Sequence, residues 1–211
     1  MLFFTFLLHM KKTLLALFFA VGVTGAAQAQ SARFGVKAGA SLTNVTGKDV
    51  SGTAYKFGFN GGVMANFAVN DIFSIQPELL YSMKGSKDDT NSNNKLNLGY
   101  IDIPILAKIA TGATGLFFEV GPQVGFLASA KATDGTASID AKEYLKSVDF
   151  GYAAGVGFQV ASGPLVGLRY NGGFTNLGEN SNINSNGLQP TAGAVKNSAF
   201  QLYVGFLFGG K

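Results

Sequence analysis

A two-residue alternation of bulky and small side chains recurs along the chain and limits its fold more than any other feature. The stretch FGYAAGVGFQV, residues 150 to 160, shows the alternation most clearly. Its even-numbered positions, from Phe150 to Val160, are all apolar, whereas three glycines lie among the odd-numbered positions. Because successive strand residues point to opposite faces, this pattern predicts a β-strand with one bulky face and one nearly bare face.

Eight segments of this kind are predicted, with connections of alternating length. They cover residues 33–42, 55–69, 72–84, 96–109, 115–128, 148–161, 164–176 and 198–208. Short turns follow the second, fourth and sixth segments, whereas long polar loops follow the first, third, fifth and seventh. This arrangement is typical of outer-membrane barrels. We therefore predict an all-β fold, an eight-stranded antiparallel up-and-down transmembrane β-barrel, with both termini on the tight-turn, periplasmic side.

The volume of the apolar residues indicates which face meets lipid. The chain has 19 Phe, and only 13% of its residues are charged, about half the usual share. A soluble barrel would carry the apolar set inside, but an eight-stranded interior is only just wide enough for side chains. The bulky set would not fit there, whereas glycines mixed with a few long polar residues would. The bulky face is therefore predicted to meet hydrocarbon.

Aromatic residues are expected in two girdles on the lipid face, one at each membrane surface. The girdle near the long loops is predicted to contain Tyr55, Phe57, Tyr81, Tyr100, Phe126, Phe150, Tyr152, Phe174 and Phe200. The segment 96–109 breaks the alternation, because its apolar parity changes between Tyr100 and Ile101. A β-bulge near Tyr100 would restore the register.

The N-terminal segment has the layout of a secretory signal peptide. After Met10 come two lysines, an apolar run and the small-residue motif AQA at residues 27–29. This layout predicts cleavage after Ala29, with Met10 as an alternative true start. A retained membrane anchor is the alternative. Residues 1–29 are thus assigned to the signal peptide and residues 30–211 to one barrel domain.

The composition of the remaining chain excludes several functions. Removing Lys11 and Lys12 from 16 basic residues leaves 14 against 12 acidic residues, a formal charge of +2 with no basic stripe for nucleic acid. Cysteine is absent, and the single histidine, His9, lies in the predicted signal peptide. Ser–His, Cys–His and His–metal sites are therefore excluded. We expect no enzyme activity, no catalytic residues, no metal and no cofactor.

The inward parity carries the candidate site, a network of charged side chains in the lumen. Its predicted members are Arg169, Glu119, Glu78, Lys37, Asp102 and Lys108. An isolated buried charge is very costly, so these groups are expected to pair. Arg169 is predicted to pair with Glu119, and Glu78 is the other carboxylate within reach. The network would plug the barrel, and a proton or ion path through the lumen is the alternative.

Five stretches carry a resemblance to a known family. They are IQPELLYSMKG (75–85), GYIDIPILAKI (99–109), FFEVGPQVGFLASAK (117–131), LRYNGGFTNL (168–177) and FQLYVGFLFG (200–209). The chain resembles the PorT-like outer-membrane beta-barrel family over nearly its whole mature length. The resemblance implies an eight-stranded outer-membrane barrel of a Gram-negative bacterium and no particular reaction. Some members of that family have been linked to protein secretion.

These features predict a structural or surface-interaction role that uses four long outer loops and a plugged lumen. A narrow pore, or a barrel associated with transport or secretion, is the alternative. The expected partners are outer-membrane lipid, the barrel-insertion machinery during biogenesis and an unidentified surface partner. A monomer is expected, without nucleic acid.

Overall fold

The computed structural model describes residues 32–47, 51–178 and 195–209. The predicted signal peptide, residues 1–29, lies outside these ranges. The strands within them are β1 (Ala32–Thr46), β2 (Thr53–Ala54), β3 (Lys56–Ala68), β4 (Phe73–Asp88), β5 (Lys95–Ala110), β6 (Leu116–Thr133), β7 (Ser138–Asp140), β8 (Val148–Gln159), β9 (Pro164–Gly173) and β10 (Lys196–Phe208). Two short 3-10 turns cover Gly112–Thr114 and Lys142–Tyr144. No helix in the described part is long and apolar enough to cross a membrane.

The eight long strands form a closed antiparallel barrel, as predicted. Around the ring each strand pairs with its neighbours in the order β1, β3, β4, β5, β6, β8, β9 and β10, and β10 pairs back onto β1. Closure gives every strand two hydrogen-bonded neighbours, which meets the demand of a bilayer that backbone groups be paired internally. Each predicted segment coincides with one of these strands.

Three strands continue further toward the long loops than predicted. β1 reaches Thr46, β4 reaches Asp88 and β6 reaches Thr133, four or five residues beyond the predicted ends. The added residues remain in the ladder, as the pair Lys87 with Lys95 shows. Apolar alternation cannot mark these ends, because strand segments outside the hydrocarbon have no lipid face. The short strands β2 and β7 pair with the ends of β4 and β6 there.

Exposure confirms the predicted assignment of the two faces. In β8 the side chains of Phe150, Val156 and Phe158 are exposed on the outside, whereas Ala153 and Gly157 are buried inside. Aromatic rings on the outer surface also contact one another near the long loops. Their contacts join Tyr55, Phe200, Tyr170, Tyr152 and Phe174, with centroid distances of 4.9 to 6.3 Å. Four of these residues belong to the expected girdle, and Tyr170 is an addition to it.

The predicted bulge exists, but it lies on the partner strand. Gly99 pairs with Ser129 and Tyr100 pairs with Leu127, so the extra residue is Ala128 of β6. The buried parity of β6 accordingly changes from Leu127 to Ala130. The expectation that Tyr100 belongs to the lipid-facing girdle is wrong, because Tyr100 is 0% exposed and points inward. The even-numbered residues of β5 face the lumen along the whole strand, and the apolar ones at its long-loop end pack under the loops.

Three mid-strand prolines interrupt the ladder without shifting it. Each of the three prolines lies in a short unpaired stretch of one strand pair. These are Pro77 in β3–β4, Pro104 in β4–β5 and Pro122 in β5–β6. The register on both sides of each gap is the same. Local bulges are therefore not the explanation. Proline has no N–H to donate, so it removes ladder hydrogen bonds where it stands.

Candidate functional site in the barrel lumen

Arg169 lies at the centre of the lumen and binds two carboxylates. Its neighbour Leu168 is 59% exposed on the lipid face, so the alternation of β9 turns Arg169 inward, where it is 2% exposed. Arg169 Nε donates to Glu119 Oε1 at 2.7 Å. Nη1 and Nη2 donate to Glu78 Oε2 and Oε1 at 2.7 and 2.9 Å. One guanidinium thus joins β6 and β4 across the barrel through charge-assisted hydrogen bonds.

Two further side chains extend these contacts. Lys37 Nζ donates to Glu78 Oε2 at 3.3 Å, and the Tyr203 hydroxyl donates to Glu119 Oε1 at 2.9 Å. Lys37 Nζ also lies 3.5 Å from the centroid of the Tyr203 ring. We call Lys37, Glu78, Glu119 and Arg169 the central network. It contains two cations and two carboxylates, so its formal charges cancel.

Glycines on β8 and β9 make room for the central network. A Cβ at Gly155 would lie 2.9 Å from Glu119 Oε1 and 2.6 Å from the Leu168 carbonyl oxygen. A Cβ at Gly167 would lie 2.5 Å from the Tyr203 ring. Real Cβ atoms do not approach so closely, so both positions need the absence of a side chain. The mixture of glycine with long polar residues on one parity has this steric cause.

The other two predicted residues, Asp102 and Lys108, do not join the central network. They are six residues apart on β5, roughly 20 Å along the strand. Asp102 accepts a hydrogen bond from Lys84 Nζ at 2.8 Å toward the long-loop end. Lys108 Nζ donates to Gln159 Oε1 at 2.6 Å toward the tight-turn end. The predicted single network therefore consists of three layers along the lumen axis.

The outer layer contains a carboxylate that sequence reasoning missed. Asp149 Oδ2 lies 3.9 Å from Lys84 Nζ and accepts a hydrogen bond from Asn197 Nδ2 at 2.8 Å. Asp149 lies on the glycine parity of β8, two residues before Gly151. That parity was the available signal, because Asp149 already lies within the predicted segment 148–161.

An apolar cluster lies inside the long-loop end of the barrel. It consists of buried Val45, Leu98, Tyr100, Leu127, Ala130 and Leu177. We call it the outer apolar cluster. Leu96, Ala141, Leu145 and Val195 pack against it, and a β-bridge joins Leu145 to Gly178. The strand ends and the described residues that follow β7 and β9 thus pack together over the lumen.

The sequence belongs to a known family. It matches the outer membrane protein beta-barrel domain family over residues 27–179. The chain is therefore a member of that family, an outer-membrane β-barrel protein. No curated protein sequence matches the chain.

Solved structures of outer-membrane barrels are similar in fold. Neisserial surface protein A is 16% identical, with a TM-score of 0.51, over 84% of this chain and 99% of the other. Ail of Yersinia pestis, in complex with the heparin analogue sucrose octasulfate, is 14% identical, with a TM-score of 0.49, over 85% and 100%. OprG of Pseudomonas aeruginosa is 8% identical, with a TM-score of 0.42, over 84% and 96%. At these identities the likeness concerns the fold alone.

Proposed function

We propose that the protein is a structural or surface-interaction barrel that acts through its outer loops and passes no solute through its lumen. The central network carries this proposal. Its ion pairs connect β1, β4, β6 and β9 at mid-height, where a pore would need a continuous water path. The outer apolar cluster lies above it and adds a second barrier. Barrels of this strand number generally have interiors filled by side chains.

The strand ends that continue past the bilayer toward the long loops supply a surface suited to interaction. Lys87 and Lys95 lie directly opposite each other on β4 and β5, and Lys131 of β6 shares their face through its pairing with Asn97. Like charges in directly opposed positions destabilise a sheet. Their presence therefore favours a function in contact with anionic groups at the cell surface, where exposed loops and strand ends carry recognition.

Planar-bilayer recording of the purified barrel tests the lumen proposal. We expect no single-channel steps from the wild-type protein. A variant with Lys37, Glu78, Glu119 and Arg169 all replaced by alanine is the matched comparison, because it removes the central charges and keeps the wall. Stable steps from the wild-type monomer would refute the proposal and favour a narrow pore or a transport- or secretion-associated barrel.

A complementation experiment separates a structural role from a surface role. A deletion strain would receive either the full protein or a barrel whose β4–β5 tip, residues 89–94, is replaced by a short glycine-serine turn. Equal restoration of envelope resistance to detergent would support a structural role. Restoration by the full protein alone would support a role of the loops.

The remaining expectations form part of this proposal. We propose periplasmic termini, a monomeric barrel without enzyme activity, insertion by the general barrel-insertion machinery, and membership of the PorT-like group, which the five quoted motifs support. Epitopes at Lys142 and Asp71 test the orientation on intact cells. The first should be accessible and the second protected, and surface labelling at Asp71 would invert the topology.

A further inference from the structure

The lumen contains a cavity of about 350 Å³ at the tight-turn end. Its lining includes the inward-facing side chains of Asn66, Ser74, Lys108, Phe117 and Gln159. This volume lies within the range of roughly 300 to 1,000 Å³ that is usual for small-molecule sites. The walls combine an aromatic ring with several hydrogen-bonding groups, which is the usual chemistry of such sites.

Lys108 is the charged group inside this cavity. Its Nζ donates to Gln159 Oε1 and lies 3.8 Å from the centroid of the Phe117 ring. Among the described residues, no carboxylate oxygen lies within 4.0 Å of it. An ammonium group has three donors, and among the described residues one hydrogen bond from this group is found. A buried cation without an anion is costly, so Lys108 favours an anionic partner.

No carboxylate among the described residues forms an ion pair with Lys108. Glu119 lies opposite it in the β5–β6 ladder, where Oε1 accepts from Arg169 and, within the described ranges, Oε2 has no hydrogen-bond partner, but neither oxygen lies within 4.0 Å of Lys108 Nζ. Glu78 and Glu119 are bound by Lys37 and Arg169, and the outer aspartates lie beside Lys84. Of the residues lining the cavity, only Asp71 is acidic, and it is exposed at the rim. Arg33 Nη2 lies 3.5 Å from the carbonyl oxygen of Ala161, which also lines the cavity, so a second cation is close to the rim.

We infer that this cavity binds a small organic anion. A carboxylate would pair with Lys108 Nζ, and an aromatic or other apolar body would contact Phe117. Asn66 connects the cavity to the central network, because its Nδ2 donates to Gln76 Oε1 and Gln76 Nε2 donates to Glu78 Oε1. The site does not depend on the proposed function, since it is reached from the tight-turn end without passage through the lumen.

Titration calorimetry with benzoate tests the inference on the refolded mature chain in a non-ionic detergent. Benzyl alcohol has nearly the same shape without the charge, and we expect it to bind at least roughly tenfold more weakly. Lys108→Met should weaken benzoate binding by a similar factor, whereas Lys108→Arg should retain binding. Lys196→Met, at the long-loop end of β10 and outside the surface formed by Lys87, Lys95 and Lys131, is the matched control and should change nothing.

Three results would overturn the inference. They are the absence of saturable benzoate binding, equal affinity for benzoate and benzyl alcohol, and unchanged affinity after Lys108→Met. The comparison of the two ligands uses only the wild-type protein, so it decides the question even if a variant does not refold. Folding of each variant would be checked by its heat-dependent shift in gel mobility.

Discussion

The two ends of the lumen are built differently, although the same strands form both. At the outer end the strands continue past the bilayer, and the outer apolar cluster lies beneath the loops. At the inner end the strands stop at short turns, and a cavity of about 350 Å³ remains. A smaller apolar cluster around Phe117 and Leu207 lines one side of the inner end. The loops and a few side chains, rather than the barrel wall, decide what each end can do.

The charged side chains also differ between the two ends of the lumen. At the outer end Lys84 lies between Asp102 and Asp149, whereas at the inner end the Gln159 amide oxygen is the one hydrogen-bond acceptor of Lys108 among the described residues. The central network lies between the two ends and is balanced within itself. Removing one partner from a charge-balanced layer leaves a buried charge unpaired, whereas a layer with an unpaired cation can bind an anionic ligand. This difference gives testable expectations for each layer.

The largest effect is expected from the central network that separates the ends. Arg169→Ala would leave Glu119 without its cation and Glu78 with Lys37 alone. Breaking a buried ion pair by removing one partner costs about 3 to 5 kcal/mol. Urea unfolding of the refolded barrel would measure the loss.

A double-mutant cycle sharpens this expectation. Removal of Arg169 and Glu119 together should cost less than the sum of the single losses, because the two groups share a hydrogen bond. The same should hold for Arg169 with Glu78, which accepts two of the three bonds from the guanidinium. Additive losses in both cycles would mean that these contacts carry no coupling energy.

The sequence predicted the wall of this barrel far better than its contents. Period-two alternation is imposed by lipid on one side of every strand, so all eight strands could be found from it. The inward direction of Arg169 follows from Leu168 and Tyr170 beside it. The choice of partner does not follow, because parity gives direction and not reach. Glu119 was favoured as the near carboxylate, yet the long guanidinium also reaches Glu78.

Tyr100 shows where alternation misleads. Its parity in β5 is apolar at the outer end because that end packs under loops, and it is polar at Asp102 because that level lies among charges. The change of apolar parity within β5 therefore reflects a change in what surrounds the inward-facing residues, and not a change in their direction. The bulge that does shift parity lies in β6, whose residues Ala128 and Ser129 give no such signal.

The outer apolar cluster should contribute more to stability than Lys108 of the inner cavity. Leu98 is 2% exposed within this cluster, and Leu98→Ala should cost about 2 to 5 kcal/mol, the usual range for deleting a buried leucine side chain. Urea unfolding measures this loss as well. A cost below about 0.5 kcal/mol, the usual limit for surface substitutions, would show that the loops do not seal this end.

Lys108→Met should behave in the opposite way at the inner end. It replaces an ammonium group that has no carboxylate partner among the described residues with an apolar chain of similar length. Because a buried charge without an ion-pair partner is costly, its removal offsets the loss of the hydrogen bond to Gln159, and we expect little change in unfolding free energy. A loss as large as that of Leu98→Ala would mean that Lys108 already has a stabilising partner.

The smallest expected effect concerns two turns, one at each end of the barrel, that have the same hydrogen-bond geometry. Outside the membrane-spanning segments, Asp134 Oδ1 accepts hydrogen bonds from the backbone N–H groups of Thr136 and Ala137 at 2.9 and 2.8 Å. At the inner end, Asn70 Oδ1 accepts in the same way from Ile72 and Phe73 at 3.1 and 2.8 Å. The outer turn can titrate, and the inner turn cannot.

The backbone hydrogen bond from Ala137, followed by those from Thr136, lowers the pKa of Asp134 from 3.8 to about 2. A lowered pKa means that the contribution of the turn is fully present above pH 3.8 and is lost as the pH falls through about 2. We expect the amide resonance of Ala137 to shift with a midpoint near pH 2, while that of Phe73 stays constant. Asp134→Asn should remove the shift, because an amide keeps the acceptor oxygen but cannot be protonated in this range. If Ala137 instead titrated near pH 3.8, or Phe73 moved with it, the two turns would not differ as the structure indicates.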